Sequence, residues 1–352
     1  MRIRELIHFW LVLVPFIYAS CEDEFANESL SEEYADTSIP DNSNPLQKLH
    51  KTSDYLVVYG DLQSYTLNNE KMMYYQRSLS WIDWQLESNV NINAILEVGD
   101  VSENNLETQW KRFYDDTYGI ASRIPYFVVT GNHDYDWDNF KIKDRRTTFI
   151  NKYADFSLTR KNIIAYFEED SLENYVAIVN NARNIYLLAL EFGPREEVLN
   201  WAKQYVQNNS DKQFLLMTHE WLTRFGERIK ENSFAEAHFK GYSSFSTPED
   251  VWNKLVYPND NIMCVLCGHN GFFAKLFSEN EIGRKVPQIL FNLQYQTNGG
   301  NGLVQLWEFP RQSDSVRVCA YDTINEIWFM PDSTTVTFKY NRLLSCDAFL
   351  TV

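Results

Sequence analysis

The sequence of 352 residues carries no internal repeat and no long low-complexity tract, which excludes a solenoid or a tandem array. It is short of basic charge. Lys and Arg number 32 against 48 Asp and Glu, a formal net charge of −16. That balance argues against a nucleic-acid partner or another polyanion, which would need a basic surface. A small anionic substrate is still admitted, because a bound metal reverses the local field. The longest apolar run, Phe9 to Ile17, falls short of the roughly 20 residues that a helix needs to cross a bilayer. Cysteine is sparse, with five in the chain. Cys264 and Cys267 have C-x-x-C spacing, but inside the apolar run Ile262 to Cys267. Residues three apart on a strand face opposite sides, so two buried thiols are expected in place of a zinc or redox pair. Cys319 and Cys346 form a pair that an oxidising compartment would allow to join.

What is present has an ordinary globular balance of 44% hydrophobic and 23% charged residues, enough chain for one large domain or two small ones. Aromatics reach 15%, as a large core would use them. Arg2 and Arg4 precede the apolar run, and the small residues Ala19 and Ser20 follow it. This pattern predicts a signal peptide over residues 1–20. Ile17-Tyr18-Ala19-Ser20-Cys21 resembles a bacterial lipoprotein cleavage site, which implies membrane attachment through a lipid on Cys21. The acidic Glu22-Asp23-Glu24 resembles the export tag of surface lipoproteins. Together they imply the bacterial cell envelope, as an outer-membrane and surface-exposed lipoprotein. The rival is ordinary signal cleavage that leaves a free thiol. Residues 21–52 are acidic and rich in Ser and Asn, with Pro40 and Pro45, and predict a disordered tether. The folded domain is expected over residues 53–352.

Within that domain, apolar runs predict strands over 54–60, 92–98, 126–130, 214–217 and 261–267. Two more flank a turn at 180–184, and later strands are expected over 286–293, 303–309, 315–321 and 334–340. Helices are expected over 71–87, where Leu79, Ile82 and Leu86 recur at three- and four-residue spacing, and over 105–118, 195–206 and 248–256, the last with Pro at its start. Residues 135–160 and 221–248 are polar and without a period, the second a lid or rim. This order fits an α/β fold of two mixed sheets with helices outside.

Five of the strands run into polar clusters: Asp61 with Gln63, Asp100, Asn132 with His133, His219, and His269. Open α/β sheets place ligand sites at such strand exits. Two aspartates supply charge for divalent ions, and two imidazoles with an amide oxygen complete a borderline site. A shared carboxylate can hold two ions roughly 3.5–4 Å apart, the spacing of two-metal hydrolases.

In order and rough spacing, Asp61-Leu62-Gln63, Gly99-Asp100-Val101-Ser102, Gly131-Asn132-His133-Asp134, His219 and Gly268-His269-Asn270-Gly271 resemble the blocks of the calcineurin-like metallophosphoesterase superfamily. Those blocks read Asp-x-His, Gly-Asp-x-x, Gly-Asn-His-Asp or Glu, a lone His, and Gly-His-x-His. The resemblance implies a four-layer α/β/β/α sandwich, and hydrolysis of a phosphate monoester or diester by a metal-activated water. It also implies divalent cofactors, a pair drawn from Mn²⁺, Mg²⁺, Fe²⁺ or Zn²⁺. Asp61 would bind the first metal, Asp100 would bridge both, and Asn132, His219 and His269 would complete the second. His133 would protonate the leaving group, with Asp134 orienting its imidazole. Two blocks depart from the pattern. Gln63 stands where the first-block His is usual, as in branches that read Asp-x-Gln, and Gly271 stands in place of the last His. Both changes fall on the first metal, where Glu103, Asn104 or Asn270 could compensate. The rival to an enzyme is a non-catalytic or single-metal surface binding protein that keeps the fold. The Gly-rich stretch Gln294 to Gly302 reads either as an anion cradle or as a tight connection between strands.

Overall fold

A computed structural model of the chain describes residues 49–311, 313–329 and 334–340. The signal segment, Cys21, most of the tether and Cys346, and with it the Cys319–Cys346 pairing, lie outside the described residues. Packing already includes Leu49, which is buried in the main core.

Among the described residues the strands are β1 Ser53–Tyr59, β2 Asn91–Glu97, β3 Tyr126–Val128, β4 Ile163–Tyr166, β5 Tyr175–Asn180, β6 Ile185–Ala189, β7 Gln213–Met217, β8 Ile262–Cys267, β9 Phe273–Glu279, β10 Lys285–Phe291, β11 Leu303–Pro310, β12 Ser315–Asp322, β13 Ile327–Phe329 and β14 Val336–Lys339. They form two mixed sheets. One has the order β13-β12-β11-β1-β2-β3, with β14 also on β12; the other has the order β4-β5-β6-β7-β8-β10-β9. In the first sheet β1, β2 and β3 are parallel. In the second β6, β7, β8 and β10 are parallel.

The sheets pack face to face with helices outside, the expected four-layer sandwich. Alternation along the second sheet shows how. Leu187, Leu215, Cys264 and Ile289 point into the core shared with the first sheet. Their neighbours Leu188, Leu216, Val265 and Leu290 point the other way, onto Val198, Leu199 and Ala202 of the helix Glu196–Asn208. This is the period-two face selection of a strand. Cys264 and Cys267 obey it, one thiol in each layer. Polar ties cross between the sheets: the Tyr175 hydroxyl donates to the Val128 carbonyl at 2.9 Å. On the far side of the first sheet lie the helices Asn69–Glu87 and Glu107–Ala121. There Tyr59 and Tyr75 pack edge to face, and their hydroxyls meet Ser78 and Thr117, each at 2.7 Å.

The elements missing from the sequence reading are instructive. β4 and β9 are the two edges of the second sheet. Half of the β9 side chains face outward, so no continuous apolar run marks it. The segment 221–248 contains the helix Phe234–Phe239. The helix expected over 248–256 is one α-turn, Pro248–Val251, continued by a π-turn, Trp252–Val256. The stretch 294–302 packs on the turn at 63–67: Ser64 Oγ donates to the Gln294 carbonyl at 2.9 Å, and Gly302 N donates to the Tyr65 hydroxyl at 3.1 Å. Those bonds favour the tight connection over the anion cradle.

Candidate metal centre

The parallel strands of both sheets deliver their C-terminal loops to one place. Asp61 follows β1, Asp100 follows β2, Asn132 and His133 follow β3, His219 follows β7, and His269 follows β8. Three of these residues have positive φ: Asp61 at +26°, Asp100 at +57° and His269 at +72°. Such backbone costs energy in residues other than glycine and concentrates at functional sites. The motif glycines are explained by close approach. A Cβ on Gly131 would lie 2.1 Å from Asp100 Oδ1, and one on Gly268 would lie 2.2 Å from Asp61 Oδ1. The loops meet more tightly than any side chain there would permit.

Acceptor atoms converge in this centre with too few donors to go round. His219 Nδ1 lies 2.9 Å from the Val98 carbonyl, so its proton is placed there and the Nε2 lone pair is left facing inward. That lone pair lies 3.1 Å from Asn132 Oδ1 and 3.1 Å from Asp100 Oδ2. Ligand atoms of Asp100, His219 and His269 all lie within 4.8 Å of one another. Three buried atoms of the expected set, Asp100 Oδ2, His269 Nδ1 and Gln63 Oε1, have no hydrogen-bond partner. Buried unpaired acceptors are costly, and a cation between Asp100 and His269 would satisfy those two atoms, with Gln63 Oε1 left for the other side of the centre. Among the residues present, the donor set therefore fits a metal.

Electrostatics point the same way. Burial pushes the Asp61 carboxyl up to about 8, against the opposing charge of His219. His219 is held up at about 10: burial would lower it, but Asp100 and Asp61 outweigh burial. Asp100 falls to about 2, because His219 and His133 outweigh its burial. In the absence of a cation, a second proton, on His219 Nε2 facing Asp100 Oδ2 at 3.1 Å, does the neutralising; a metal would displace that proton and take the lone pair. His269 is pushed down to about 3 by burial, with His219 adding to it, which keeps its imidazole neutral and able to ligate.

His133 stands beside this cluster. Its backbone N donates to Asp100 Oδ1 at 2.9 Å, and its Nδ1 lies 2.7 Å from the Glu103 carbonyl. Nε2 is thereby left for other work. Asp134 does not take the part expected of it. Its carboxylate accepts from Gly131 N, Val101 N, Ser102 N and Ser102 Oγ at 2.9–3.2 Å. It stitches the β2 and β3 loops together, and the Glu103 carbonyl orients the imidazole instead. The physical reason is that four short-range donors already saturate the carboxylate.

The first-metal side is looser. Gln63 Nε2 donates to Glu103 Oε2 at 2.7 Å, which turns its amide oxygen free. Of the candidate compensators, only Glu103 makes this contact. The Asn270 amide donates to the Leu222 carbonyl at 3.1 Å, and Asn104 is exposed. Gly271 has φ +63°, and a Cβ there would lie 2.6 Å from Arg224 Cβ. The loop is built for glycine.

Several contributors escaped the sequence reading. Glu97 is fully buried, and its Oε2 accepts from Gly99 N at 3.0 Å. Burial, with the Asp134 charge adding, pushes its carboxyl well above the usual range. The available signal was an acid inside the apolar run of β2. Glu191, also fully buried, lies 2.9 Å from Arg195 and 3.5 Å from Arg145. Arg145 in turn donates to the carbonyls of Phe192 and Gly193, each at 2.7 Å. The Phe192 ring lies 6.0 Å from His219, so this ion network braces one wall of the centre.

A buried candidate metal-ligand group of Asp100, His219 and His269 lies at the joint edge of two packed mixed sheets of an α/β/β/α fold. Residues 54–271 match the family model described as calcineurin-like phosphoesterase, and the chain belongs to that family. It is 24% identical over 285 residues to the uncharacterized protein YvnB of Bacillus subtilis (strain 168), covering 78% of this chain and 20% of that one. It is 31% identical over 96 residues to a nucleotide pyrophosphatase/phosphodiesterase of Hordeum vulgare, covering 25% of this chain and 26% of that one. The chain thus spans about a quarter or less of these relatives' lengths. Purple acid phosphatase PPD1 from seeds of yellow lupin (Lupinus luteus) superposes with a TM-score of 0.51 at 12% identity, covering 84% of this chain and 56% of that one. That likeness concerns the fold.

Proposed function

We propose that the chain is a metal-dependent hydrolase of phosphate esters. The observation that carries this reading is the buried convergence of ligand atoms from Asp100, His219 and His269, two of them, Asp100 Oδ2 and His269 Nδ1, without a hydrogen-bond partner, beside an imidazole with a free Nε2. Asp100, Asn132, His219 and His269 would hold one cation. Asp61, Asp100 and Gln63, steadied by Glu103, would hold a second more weakly. When bound, divalent cations supply an activated water and neutralise charge on the phosphoryl oxygens. Oxygen ligands on the weaker side suit Mn²⁺ or Mg²⁺.

His133 does the proton work. Its backbone is tied to Asp100 and its Nδ1 to Glu103, so Nε2 faces the departing oxygen as general acid. Burial alone would lower its pKa, but the Asp100 and Glu103 charges raise it above the usual 6.5, which favours the protonated donor. The test is hydrolysis of generic phosphomonoesters and phosphodiesters with Mn²⁺ present, alongside metal content. Turnover lost together with metal in Asp100→Ala is expected; absence of turnover with every divalent ion would sink the reading. A non-catalytic or single-metal role is favoured by Gln63 and Gly271, which both stand where the family pattern has a His.

For location we propose an exported lipoprotein of the cell envelope, anchored through Cys21, on the strength of Arg2, Arg4, the apolar run and Ala19-Ser20-Cys21. Radiolabelled palmitate should enter the wild type but not Cys21→Ala; equal labelling of both would count against the anchor.

A further inference from the structure

The rim of the centre on the His133 side is made of rings. Trp137 lies 6.3 Å from His133 between ring centroids. It is 36% exposed, and its Nε1 donates to the Asn132 carbonyl at 3.1 Å. The indole is therefore fixed relative to a residue of the metal centre while part of it remains open to a ligand. His238 follows at 4.6 Å from Trp137, and Phe234 stacks on His238 at 4.3 Å with 25° between planes. Phe234 then reaches His269 at 4.7 Å. Aromatic rings thus run unbroken from the proton donor to a metal-centre imidazole. Charges near this wall are engaged elsewhere: Lys143 pairs with Asp138, and Lys141 donates to the Ala237 carbonyl. Burial lowers the His238 pKa, so its ring is neutral near pH 7.

We propose that this wall seats the leaving group and selects phosphate esters whose alcohol carries a flat aromatic ring of nucleobase size. The inference rests on the hydrolase reading above, in which His133 protonates the departing oxygen. The leaving group must then depart on the His133 side, past Trp137. An alkyl or bare sugar alcohol gains little from an uncharged aromatic wall, whereas a planar ring stacks on it.

The test compares adenosine 5′-monophosphate with ribose 5-phosphate, or their methyl diesters should only diesters turn over. Both monoesters leave through the same primary oxygen, so chemical reactivity is matched; for the diesters, release of adenosine or ribose is scored and release of methanol is not. The full chain with Mn²⁺ should show a kcat/KM ratio of roughly tenfold or more for the adenosine ester, the scale of one base–aromatic stack. The ratio should fall toward one in Trp137→Leu and decline in Phe234→Leu. The ratio is the readout, because Trp137 also supports the Asn132 loop. Hydrolysis of both esters with a wild-type ratio near one, or a ratio undiminished in Trp137→Leu, would overturn the inference and leave the hydrolase reading standing. If neither ester is hydrolysed, calorimetric binding of the two probes decides the wall's role, while the hydrolase reading stands or falls on the generic esters named above. Tighter binding of the adenosine ester that is lost in Trp137→Leu supports it; equal binding in the wild type overturns it.

Discussion

The two halves of the metal centre are held in different ways. On the side of Asn132, His219 and His269 all three side chains are buried. The His219 ring is locked by the Val98 carbonyl, and Asn132 and Asp100 meet its lone pair at 3.1 Å. On the side of Gln63 the support is Glu103, whose side chain is 31% exposed, and the last block ends in a left-handed glycine. Ligands that are oriented before the metal arrives lose little freedom on binding it, and partners that fix them are worth 10–100-fold in affinity. On the proposed reading, the comparison teaches that one half is preorganised for a metal and the other would have to be completed by it.

Four substitutions break or sharpen that contrast, in decreasing order of effect. Asp100 serves both halves, so Asp100→Ala should abolish metal binding on both sides and lower turnover by about 10³-fold or more, on the scale of losing a central catalytic group; steady-state kinetics and metal analysis check it. His219→Ala should cost about 10²–10³-fold in turnover, against roughly tenfold for Gln63→Ala. Equal losses would erase the asymmetry. Restoring the family residue with Gly271→His should add no metal, because the residue would meet Arg224 and sit at φ +63°. It should destabilise the fold by about 1–2 kcal/mol, the cost of left-handed backbone, as a shift in denaturant midpoint.

The smallest effect is one of pH. In the proposed role His133 donates only when protonated, and its pKa lies above the usual 6.5 because Asp100 and Glu103 outweigh burial. Turnover should therefore fall as pH rises through that value. Glu103→Gln removes one of the supporting charges, so the decline should begin at lower pH, with the acidic side of the profile moving less. An unmoved alkaline limb would mean that Glu103 acts only on Gln63.

Much of this was legible in the sequence, for a physical reason. Central strands buried on both faces read as apolar runs, and a Gly followed by Asp, Asn or His after such a run marks a strand exit. β9 was not legible, because its exposed side chains break up any apolar run, and β4, Ile163–Tyr166, is apolar but only four residues long. The site's residue types were visible, but their partners were not. The Val98 and Glu103 carbonyls that set the tautomers of His219 and His133 belong to residues with no signal of their own. Asp134 looked like a partner of His133 because the two are adjacent, whereas its oxygens turn back to Val101, Ser102 and Gly131. Trp137 and His238 approach each other only across a fold that joins a polar loop to the helix Phe234–Phe239.

Calorimetric titration of the metal-free chain with Mn²⁺ tests the asymmetry most directly. One tight site and one weaker site are expected, with the tight site kept in Gln63→Ala and lost in His219→Ala. Two equally tight sites, or a tight site that survives His219→Ala and disappears in Gln63→Ala, would contradict the account.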